Sequence, residues 1–250
     1  MNIKDFLNRI QFEGKAEVSL ACLSELQEKF VRSVPFENTY IMKNIPLDYE
    51  YQAVFHKIVE KRRGGVCYEN NALFFWALSE IGFKVQYIAA EMFPAETLRN
   101  KFDHMALLVN LDGNDYLVDV GNGKHYGFPI NIKRSDESIG EGVRYRIQQY
   151  NDDYLVLCLF EDDEWKYRYA FNTDVKHAPD FKKSCEFTQT SPDSSFTKDM
   201  VVTRLNQEYR ATLSGLSFTK TFPDHTKEKR VISAVELDSV LLSEFGLGAL

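Results

Sequence analysis

The sequence predicts an α+β fold, because the hydrophobic pattern changes twice along the chain. Over residues 1–85, apolar residues recur at three- and four-residue intervals, as they do in amphipathic helices. From about 86 to 190 they form short β-branched and aromatic runs separated by Gly, Asp and Asn, which is typical of antiparallel strands. Both patterns occur in residues 191–250. We therefore predict a helical region, a β-barrel or β-sandwich, and a mixed α/β region.

Four helices are predicted in the first region, over residues 3–10, 20–34, 48–61 and 67–81. In the second of them, Leu23, Leu26 and Phe30 share one face. Pro35 ends that helix, because proline cannot continue the hydrogen-bond ladder. The fourth helix begins at Cys67, and Gly82 provides its stop signal.

The predicted strands of the second region are the runs KVQYIAAEMF, HMALLVNL, NDYLVDVG, RYRIQQY, DYLVLCLF and KYRYAF. The acidic run from Glu161 to Glu164 is interpreted as a solvated hairpin turn. In the last region the strands MVVTRLN, YRATLSG and LSFTKTF precede a helix within residues 234–246.

Composition excludes several classes of protein. The net charge of −7 in 250 residues argues against general nucleic-acid binding. Apolar stretches stay below the roughly 18 residues of a membrane helix, and the N-terminus lacks the apolar core of a secretory signal, so we expect a cytoplasmic protein. The four cysteines have neither C-x-x-C spacing nor metal-ligand spacing with histidine, which predicts free thiols and no metal site: Cys22, Cys67, Cys158, Cys185.

Cys67 is the candidate nucleophile. It follows the segment Lys61-Arg62-Arg63-Gly64-Gly65-Val66 and opens a predicted helix. Helix N-termini and nearby cations favour the thiolate form of a cysteine, and the thiolate is the attacking species. The glycines leave little side-chain bulk near the sulfur. The alternative is an inert core cysteine, since free cysteines are often buried.

His104 and Asp119 are the candidate base and orienting acid for this thiol. They lie in two predicted strands joined by a turn around Asp112-Gly113-Asn114. If the turn is centred between residues 112 and 113, they are diagonal neighbours on one face, within bridging distance of each other's side chains. A slip of the turn would place them on opposite faces. The structural alternatives are a core histidine and a turn aspartate.

The ordered motifs of the chain resemble those of the arylamine N-acetyltransferase family in its bacterial form. The resemblance covers nearly the whole chain in five blocks. They are Val34-Pro35-Phe36-Glu37-Asn38, Arg63-Gly64-Gly65-Val66-Cys67-Tyr68-Glu69 with Asn71, His104 at the head of a strand, Tyr116-Leu117-Val118-Asp119-Val120-Gly121, and Ser191-Pro192-Asp193-Ser194-Ser195-Phe196.

The resemblance implies a catalytic triad of Cys67, His104 and Asp119 in a cysteine-protease-like core. It also implies three parts: a helical bundle over 1–85 that carries the nucleophile, a β-barrel over 86–190 that carries His and Asp, and an α/β lid over 191–250. The implied reaction is a ping-pong transfer. Cys67 takes acetyl from acetyl-CoA as a thioester, and a small arylamine, arylhydrazine or related amine then collects it.

Further site residues follow from the same resemblance. Gly121 and Gly123 would allow close approach of CoA, and Lys101 would meet a phosphate. Phe36 and Asn122 are assigned to the substrate pocket. Asn122 departs from the family, which often has an aromatic residue after Asp-Val-Gly, and this change removes a stacking surface worth roughly 0.5–1.5 kcal/mol.

Two other functions fit the same residues. One is a different Cys-His-Asp acyl enzyme, of transglutaminase-like or peptidase-like type, since this triad serves several acyl donors. The other is a non-catalytic or weakly active CoA-binding protein that has lost acceptor turnover, for which Asn122 is the reason. Neither the acceptor amine nor the oligomeric state follows from the sequence.

Overall fold

The computed structural model describes residues 1–93, 102–124, 127–133, 138–140, 143–161 and 163–248. Its first region contains five helices, the fourth of which continues as a π-helical turn over His56–Glu60. They are α1 Ile3–Arg9, α2 Leu20–Ser33, α3 Thr39–Met42, α4 Tyr51–Phe55 and α5 Cys67–Ile81. The predicted bounds of α5 are confirmed at both ends, where Gly82 adopts a φ of 106° that caps the helix.

Aromatic side chains hold these helices together. Phe6 on α1, Phe30 on α2 and Phe74 on α5 lie with ring centroids 5.3–6.5 Å apart. Trp76 packs edge-on against Phe6 and Phe55. These rings are almost fully buried, and α5 is therefore buried along most of its length and cannot shift without disturbing the core.

The central sheet is antiparallel and has eight strands, in the order β5-β4-β3-β2-β9-β8-β7-β6. In chain order the strands are β2 Lys84–Met92, β3 His104–Leu111, β4 Asn114–Val118, β5 Ile130–Asn131, β6 Ser138–Gly140, β7 Val143–Gln149, β8 Leu155–Glu161 and β9 Glu164–Phe171.

This sheet is rolled into a nearly closed barrel. Ile130 on β5 and Tyr145 on β7 come from strands near opposite edges, yet both belong to one buried apolar cluster. The ring of Phe128, just before β5, also contacts Tyr145 edge-on at 5.8 Å. Such contacts require the two edges to face each other across a shared interior. The prediction of an α+β fold with an antiparallel barrel is thus confirmed. Of the two arrangements that the sequence left open for the central strands, the barrel is the one observed.

A second antiparallel sheet has the order β1-β10-β11-β12-β13. Its strands are β1 Phe36–Glu37, β10 Val201–Leu205, β11 Arg210–Ser214, β12 Ser217–Thr221 and β13 Lys227–Val231. Here α8, Leu237–Phe245, packs on the sheet, and Phe218 contacts Phe245. Because β1 comes from the helical region, this pairing ties the first and last parts of the chain together.

Some elements have no counterpart in the sequence analysis. A 3₁₀ turn, Ala178–Phe181, leads into α6, Lys182–Thr190, and the short α7, Ser195–Lys198, follows. The predicted hairpin at the acidic run is present between β8 and β9. Glu161, however, is half-buried and pairs with Lys124 Nζ at 2.5 Å, so it is not a solvated turn residue.

Candidate active site

A buried ion pair fixes the start of α5. The Glu69 carboxylate accepts a hydrogen bond from the backbone N–H of Val66 at 3.2 Å, as a residue in the first turn of a helix can. Lys57 Nζ donates to both Glu69 oxygens at 2.8 Å. Burial raises the pKa of Glu69, while Lys57 opposes that rise. Cys67 is therefore the first residue of a helix whose first turn is held in place by Lys57 of the π-helical turn.

The two glycines before Cys67 serve backbone packing. A Cβ at Gly64 would lie 2.1 Å from the carbonyl oxygen of Pro35, and a Cβ at Gly65 would lie 2.8 Å from the Cβ of Glu69. Gly65 also bridges to Phe36 of β1. Glycine is therefore needed at both positions, because any side chain would clash with the Pro35 carbonyl or with the side chain of Glu69.

The basic residues before the glycines have other partners. Arg63 is buried and donates to the backbone carbonyl of Gly248 at 2.6 Å and to Thr39 Oγ1 at 3.0 Å. Lys61 and Arg62 are exposed. Arg63 therefore attaches the C-terminal segment to the helical region.

The β3–β4 hairpin has the predicted register. Leu107 pairs with Val118 and Leu111 with Asn114, across a two-residue turn at Asp112 and Gly113. Both turn residues have positive φ, 50° and 76°, as a type I′ turn requires. Continued past the end of β4, this register makes His104 and Asp119 diagonal neighbours on one face.

The three candidate residues meet at this place. His104 Nε2 lies 2.7 Å from Asp119 Oδ2, and the Cys67 thiol is near enough to His104 to contribute to its raised pKa. All three are buried: Cys67 is 5% exposed, His104 4% and Asp119 0%. Since Nε2 is occupied by the carboxylate, Nδ1 is the ring nitrogen left for the thiol.

Electrostatics favour a charged imidazole here. Burial lowers the pKa of His104, but the charge and hydrogen bond of Asp119, with a smaller contribution from Cys67, outweigh it and raise that pKa to about 10. Burial raises the pKa of Asp119, but His104 and the hydrogen bonds from Asn71 and Gly121 outweigh it and lower that pKa below its usual value. The pair is therefore an imidazolium and a carboxylate near neutral pH.

Two more side chains orient Asp119. Asn71 on α5 donates from Nδ2 to Asp119 Oδ1 at 2.9 Å and to the Met105 carbonyl at 2.7 Å. The Tyr169 hydroxyl on β9 lies 3.2 Å from Asp119 Oδ2, and its ring is 5.0 Å from that of His104. Sequence reasoning assigned no role to either. Asn71 lies one helical turn after Cys67, and this spacing alone could have placed it beside the nucleophile. Nothing in the sequence around Tyr169 indicates that it reaches Asp119.

Gly121 packs directly against the nucleophile. A Cβ there would lie 2.5 Å from Cys67 Cα and 2.6 Å from Asn71 Nδ2. The backbone N–H of Gly121 also donates to Asp119 Oδ1 at 2.8 Å. This position requires glycine for contact with α5, and its predicted approach to CoA stays a prediction.

The other predicted ligand residues lie in different surroundings. Phe36 is buried, with its ring 6.0 Å from that of Phe196. Gly123 faces Phe36 and Thr203. Lys101 lies outside the residues that the structure describes. The CoA and substrate roles of these residues stay predictions.

Asn122 is buried beside Arg168 on β9. Its Oδ1 accepts hydrogen bonds from Arg168 Nη2 at 2.8 Å and Nε at 3.1 Å, and from the backbone N–H of Lys124 at 3.2 Å. An aromatic ring in this place would leave the guanidinium without that acceptor. Asn122, which stands where the family often has an aromatic residue, is therefore accompanied by a polar partner, Arg168, on another strand.

The arrangement suits nucleophilic catalysis by cysteine. A cysteine beside a histidine held by a carboxylate can pass its proton to that histidine, and the resulting imidazolium can give the proton to a leaving group. Among the described residues, no group of three His, Cys, Asp or Glu side chains is placed to hold a metal ion. None of the described helices has the length and apolar character needed to cross a membrane.

The chain is similar to known enzymes over its full length. Residues 19–249 match a family model described as N-acetyltransferase. The arylamine N-acetyltransferase of Mycolicibacterium smegmatis is 29% identical over 260 residues, which cover 99% of this chain and 92% of that protein.

Solved structures give the same result. The arylamine N-acetyltransferase of Nocardia farcinica has a TM-score of 0.93 at 30% identity, covering 100% of this chain and 90% of that one. The Mycobacterium marinum enzyme in complex with CoA has a TM-score of 0.91 at 27% identity, covering 98% and 92%. The predicted resemblance is confirmed, and the chain belongs to the arylamine N-acetyltransferase family.

Proposed function

We propose that this protein transfers acetyl from acetyl-CoA to small arylamines, arylhydrazines or related amines by a ping-pong reaction through Cys67. The observation that carries this proposal is the position of His104, which adjoins the Cys67 thiol and hydrogen-bonds the Asp119 carboxylate. Membership of the arylamine N-acetyltransferase family supports the choice of acyl donor.

The first half-reaction loads Cys67. Its sulfur, with its proton held by His104, attacks the thioester carbonyl of acetyl-CoA and forms the new C–S bond. The first N–H groups of a helix have no acceptor within the helix, so the backbone N–H of Cys67 is our candidate donor to the oxyanion. The old C–S bond then breaks, and the CoA sulfur leaves with a proton from His104.

The second half-reaction transfers the acetyl group from Cys67 to the amine. The amine nitrogen attacks the acetyl carbonyl, and the bond from that carbon to Cys67 Sγ breaks. His104 takes the proton that the nitrogen loses, and Asp119 stabilises the imidazolium that results. The exchange of one thioester for another is nearly balanced in free energy, so the amide-forming step drives the overall transfer.

A cavity near Lys124 supports a site for the phosphates of CoA. It has a volume of about 180 Å³ and lies where the barrel meets the second sheet. Its lining includes three cations, two acids and two aromatic rings: Lys124, Arg210, Lys227, Glu161, Glu208, Tyr209 and Phe222. Phosphates bind to such cations, and rings offer a surface to adenine. Since Gly121 touches Cys67 and Lys124 follows three residues later, the cavity lies within a short distance of the nucleophile.

Intact-mass measurement tests the proposal. Purified protein incubated with acetyl-CoA should gain the mass of one acetyl group, and Cys67→Ala should gain none. Cys158→Ala is the matched control, because Cys158 is a buried thiol in the barrel wall. If the unaltered protein shows neither the adduct nor hydrolysis of acetyl-CoA, the proposal is wrong.

A non-catalytic CoA-binding protein is the second candidate, and the burial of Asn122 in place of a ring favours it. In that case acetyl-Cys67 would form, and a panel of aromatic amines and hydrazines would leave it undischarged. Release of the acetyl group by any of them at a rate above hydrolysis would exclude this candidate.

A further inference from the structure

The last strand, β13, forms an open edge of the second sheet. It stands at the end of the order β1-β10-β11-β12-β13, and no described strand pairs with its outer side. The strand at the other edge, β1, is covered, because Phe36 bridges to Gly65. All five residues of β13, Lys227–Val231, are exposed. An exposed edge of this kind can pair with a strand from another molecule.

The hydrogen-bond pattern fixes which residues of β13 face outward. In an antiparallel pair, hydrogen-bonded and non-hydrogen-bonded positions alternate. Just beyond the strand, the Ile232 N–H donates to the carbonyl of Leu216, the residue opposite it, at 2.9 Å. The even-numbered residues of β13 therefore direct their backbone groups at β12. The odd-numbered ones direct theirs outward, and these are Lys227, Lys229 and Val231.

The charges on β13 complement those of a second copy. In an antiparallel pair with a two-fold axis at Lys229, Glu228 of each copy lies directly opposite Arg230 of the other. An axis at Glu228 or at Arg230 would instead place like charges opposite each other. Within one chain, Glu228 already faces Lys220 of β12, and Arg230 pairs with Glu236. Each of the two charges would thus have an opposite charge on both sides, which stabilises a sheet.

The like charges at the axis lie on the other face of the sheet. Successive side chains of a strand point to opposite faces, so Lys229 is separated from Glu228 and Arg230. The two copies of Lys229 would meet at the axis, where their long, exposed side chains can extend apart into solvent. On the same face Lys227 would lie opposite Val231 of the second copy, and its aliphatic stem would cover that valine.

Exposed apolar side chains flank this edge. Val231 is 78% exposed, Val235 92% and Leu216 40%. Leu216 and Val231 lie at the same end of the ladder between β12 and β13. The pair of Arg230 with Glu236 holds the start of α8, just after Val235, beside that end. Burial of these side chains would extend the contact beyond the strand itself.

We propose that this protein forms a two-fold homodimer through β13, so that the second sheets of two copies join into one continuous antiparallel sheet. The outward N–H and C=O groups of Lys227, Lys229 and Val231 bond those of the second copy, and Glu228 of each copy pairs with Arg230 of the other. The association does not depend on the acyl transfer proposed for Cys67.

Sedimentation equilibrium of two charge variants tests the pairing. The unaltered protein should show a reversible equilibrium between monomer and dimer. Glu228→Arg and Arg230→Glu each make both cross-strand pairs repulsive, so each should weaken dimerisation roughly 10-fold or more. An equimolar mixture of the two variants should form a heterodimer, because every cross-strand pair then has opposite signs. Glu13→Arg, the same change at an exposed position of the helical region, is the control and should dimerise like the unaltered protein.

Two substitutions at Lys229 test the backbone pairing. Lys229→Pro removes the central outward N–H, and proline is tolerated on an edge strand where the N–H does not face the neighbouring strand. This variant should remain folded and become monomeric. Lys229→Thr is the matched control, since it keeps the N–H and removes the like charges at the axis, and it should dimerise at least as tightly as the unaltered protein. Circular dichroism and thermal unfolding establish that each variant is folded.

Three outcomes would overturn the inference. The first is a monomer at every concentration of the unaltered protein. The second is a dimer that persists in folded Lys229→Pro, which would place the interface elsewhere. The third is a mixture of Glu228→Arg and Arg230→Glu that associates no more tightly than either variant alone, since the charges of β13 would then take no part.

Discussion

Asn71 Nδ2 lies 2.9 Å from Asp119 Oδ1, so the helix that begins at Cys67 also holds the carboxylate that orients His104. The Asn71 Oδ1 accepts from the backbone N–H of Val120 at 3.0 Å, which secures the segment after β4 to the same helix. The nucleophile and its two partners come from different elements, and Asn71 connects them directly.

Replacing Asn71 should therefore damage both stability and chemistry. Asn71→Leu keeps the side-chain size but leaves buried polar groups without partners, and we expect a loss of about 2 kcal/mol or more in the free energy of unfolding. The rate of Cys67 acetylation should fall roughly tenfold or more, since 1.4 kcal/mol of barrier is a factor of ten. Urea unfolding and stopped-flow acetylation measure the two effects.

Asn70→Leu is the matched control. Asn70 is the neighbouring buried amide on α5, and its Nδ2 and Oδ1 have no hydrogen-bond partner among the described residues. Replacing an unpaired buried amide by an apolar group of similar size should cost little or stabilise the protein. Equal effects of the two substitutions would show that Asn71 acts only through packing.

The raised pKa of His104 predicts how stability depends on pH. The folded protein holds this imidazole in its charged form, because Asp119 outweighs the opposing effect of burial and raises the pKa from 6.5 to about 10. The stability contributed by the charge is fully present below pH 6.5 and is lost as pH rises through about 10. The unaltered protein should therefore be more stable than His104→Gln below pH 6.5, and this difference in the free energy of unfolding should shrink between pH 6.5 and about 10.

Nuclear magnetic resonance of the imidazole nitrogens gives the independent measurement. His104 should stay doubly protonated above pH 6.5 and lose its proton only near 10. A neutral imidazole tautomer at pH 7 would contradict the prediction.

Gly121→Ala should obstruct the site. The added Cβ would lie 2.5 Å from Cys67 Cα, closer than van der Waals contact allows, so α5 and the segment after β4 must separate. Overpacking of this kind costs about 1–3 kcal/mol, and we expect the acetylation rate to fall more than stability does. Gly127→Ala is the control, because the nearest atom to its added Cβ, Glu28 Cα, lies at 3.6 Å, an ordinary van der Waals distance. A rate for Gly121→Ala equal to that of the control would contradict the steric argument.

The Lys57–Glu69 pair should show strong coupling. Lys57→Met leaves the buried Glu69 carboxylate uncompensated, and removing one partner of such a pair costs about 3–5 kcal/mol. The double variant Lys57→Met, Glu69→Gln should recover part of this loss, since no buried charge remains. Urea denaturation of both single variants and the double variant completes the cycle. Additive losses would show that the two residues act independently.

The sequence by itself determined the elements on which the site is built. The periodicity and Gly82 specify α5 from Cys67 to its end, and the turn at Asp112 and Gly113 sets the register that brings His104 beside Asp119. These features depend on residues close together in the chain. Local backbone preferences and side-chain alternation are therefore sufficient to predict them.

Only the tertiary structure decided which distant residues complete the site. Tyr169 reaches Asp119 because β9 pairs with β2 in the rolled sheet, and Arg168 reaches Asn122 for the same reason. Arg63, expected to act near the thiol, instead binds the C-terminal segment at Gly248. These contacts depend on sheet curvature and on packing between segments far apart in the chain, and a local sequence pattern contains no information about either.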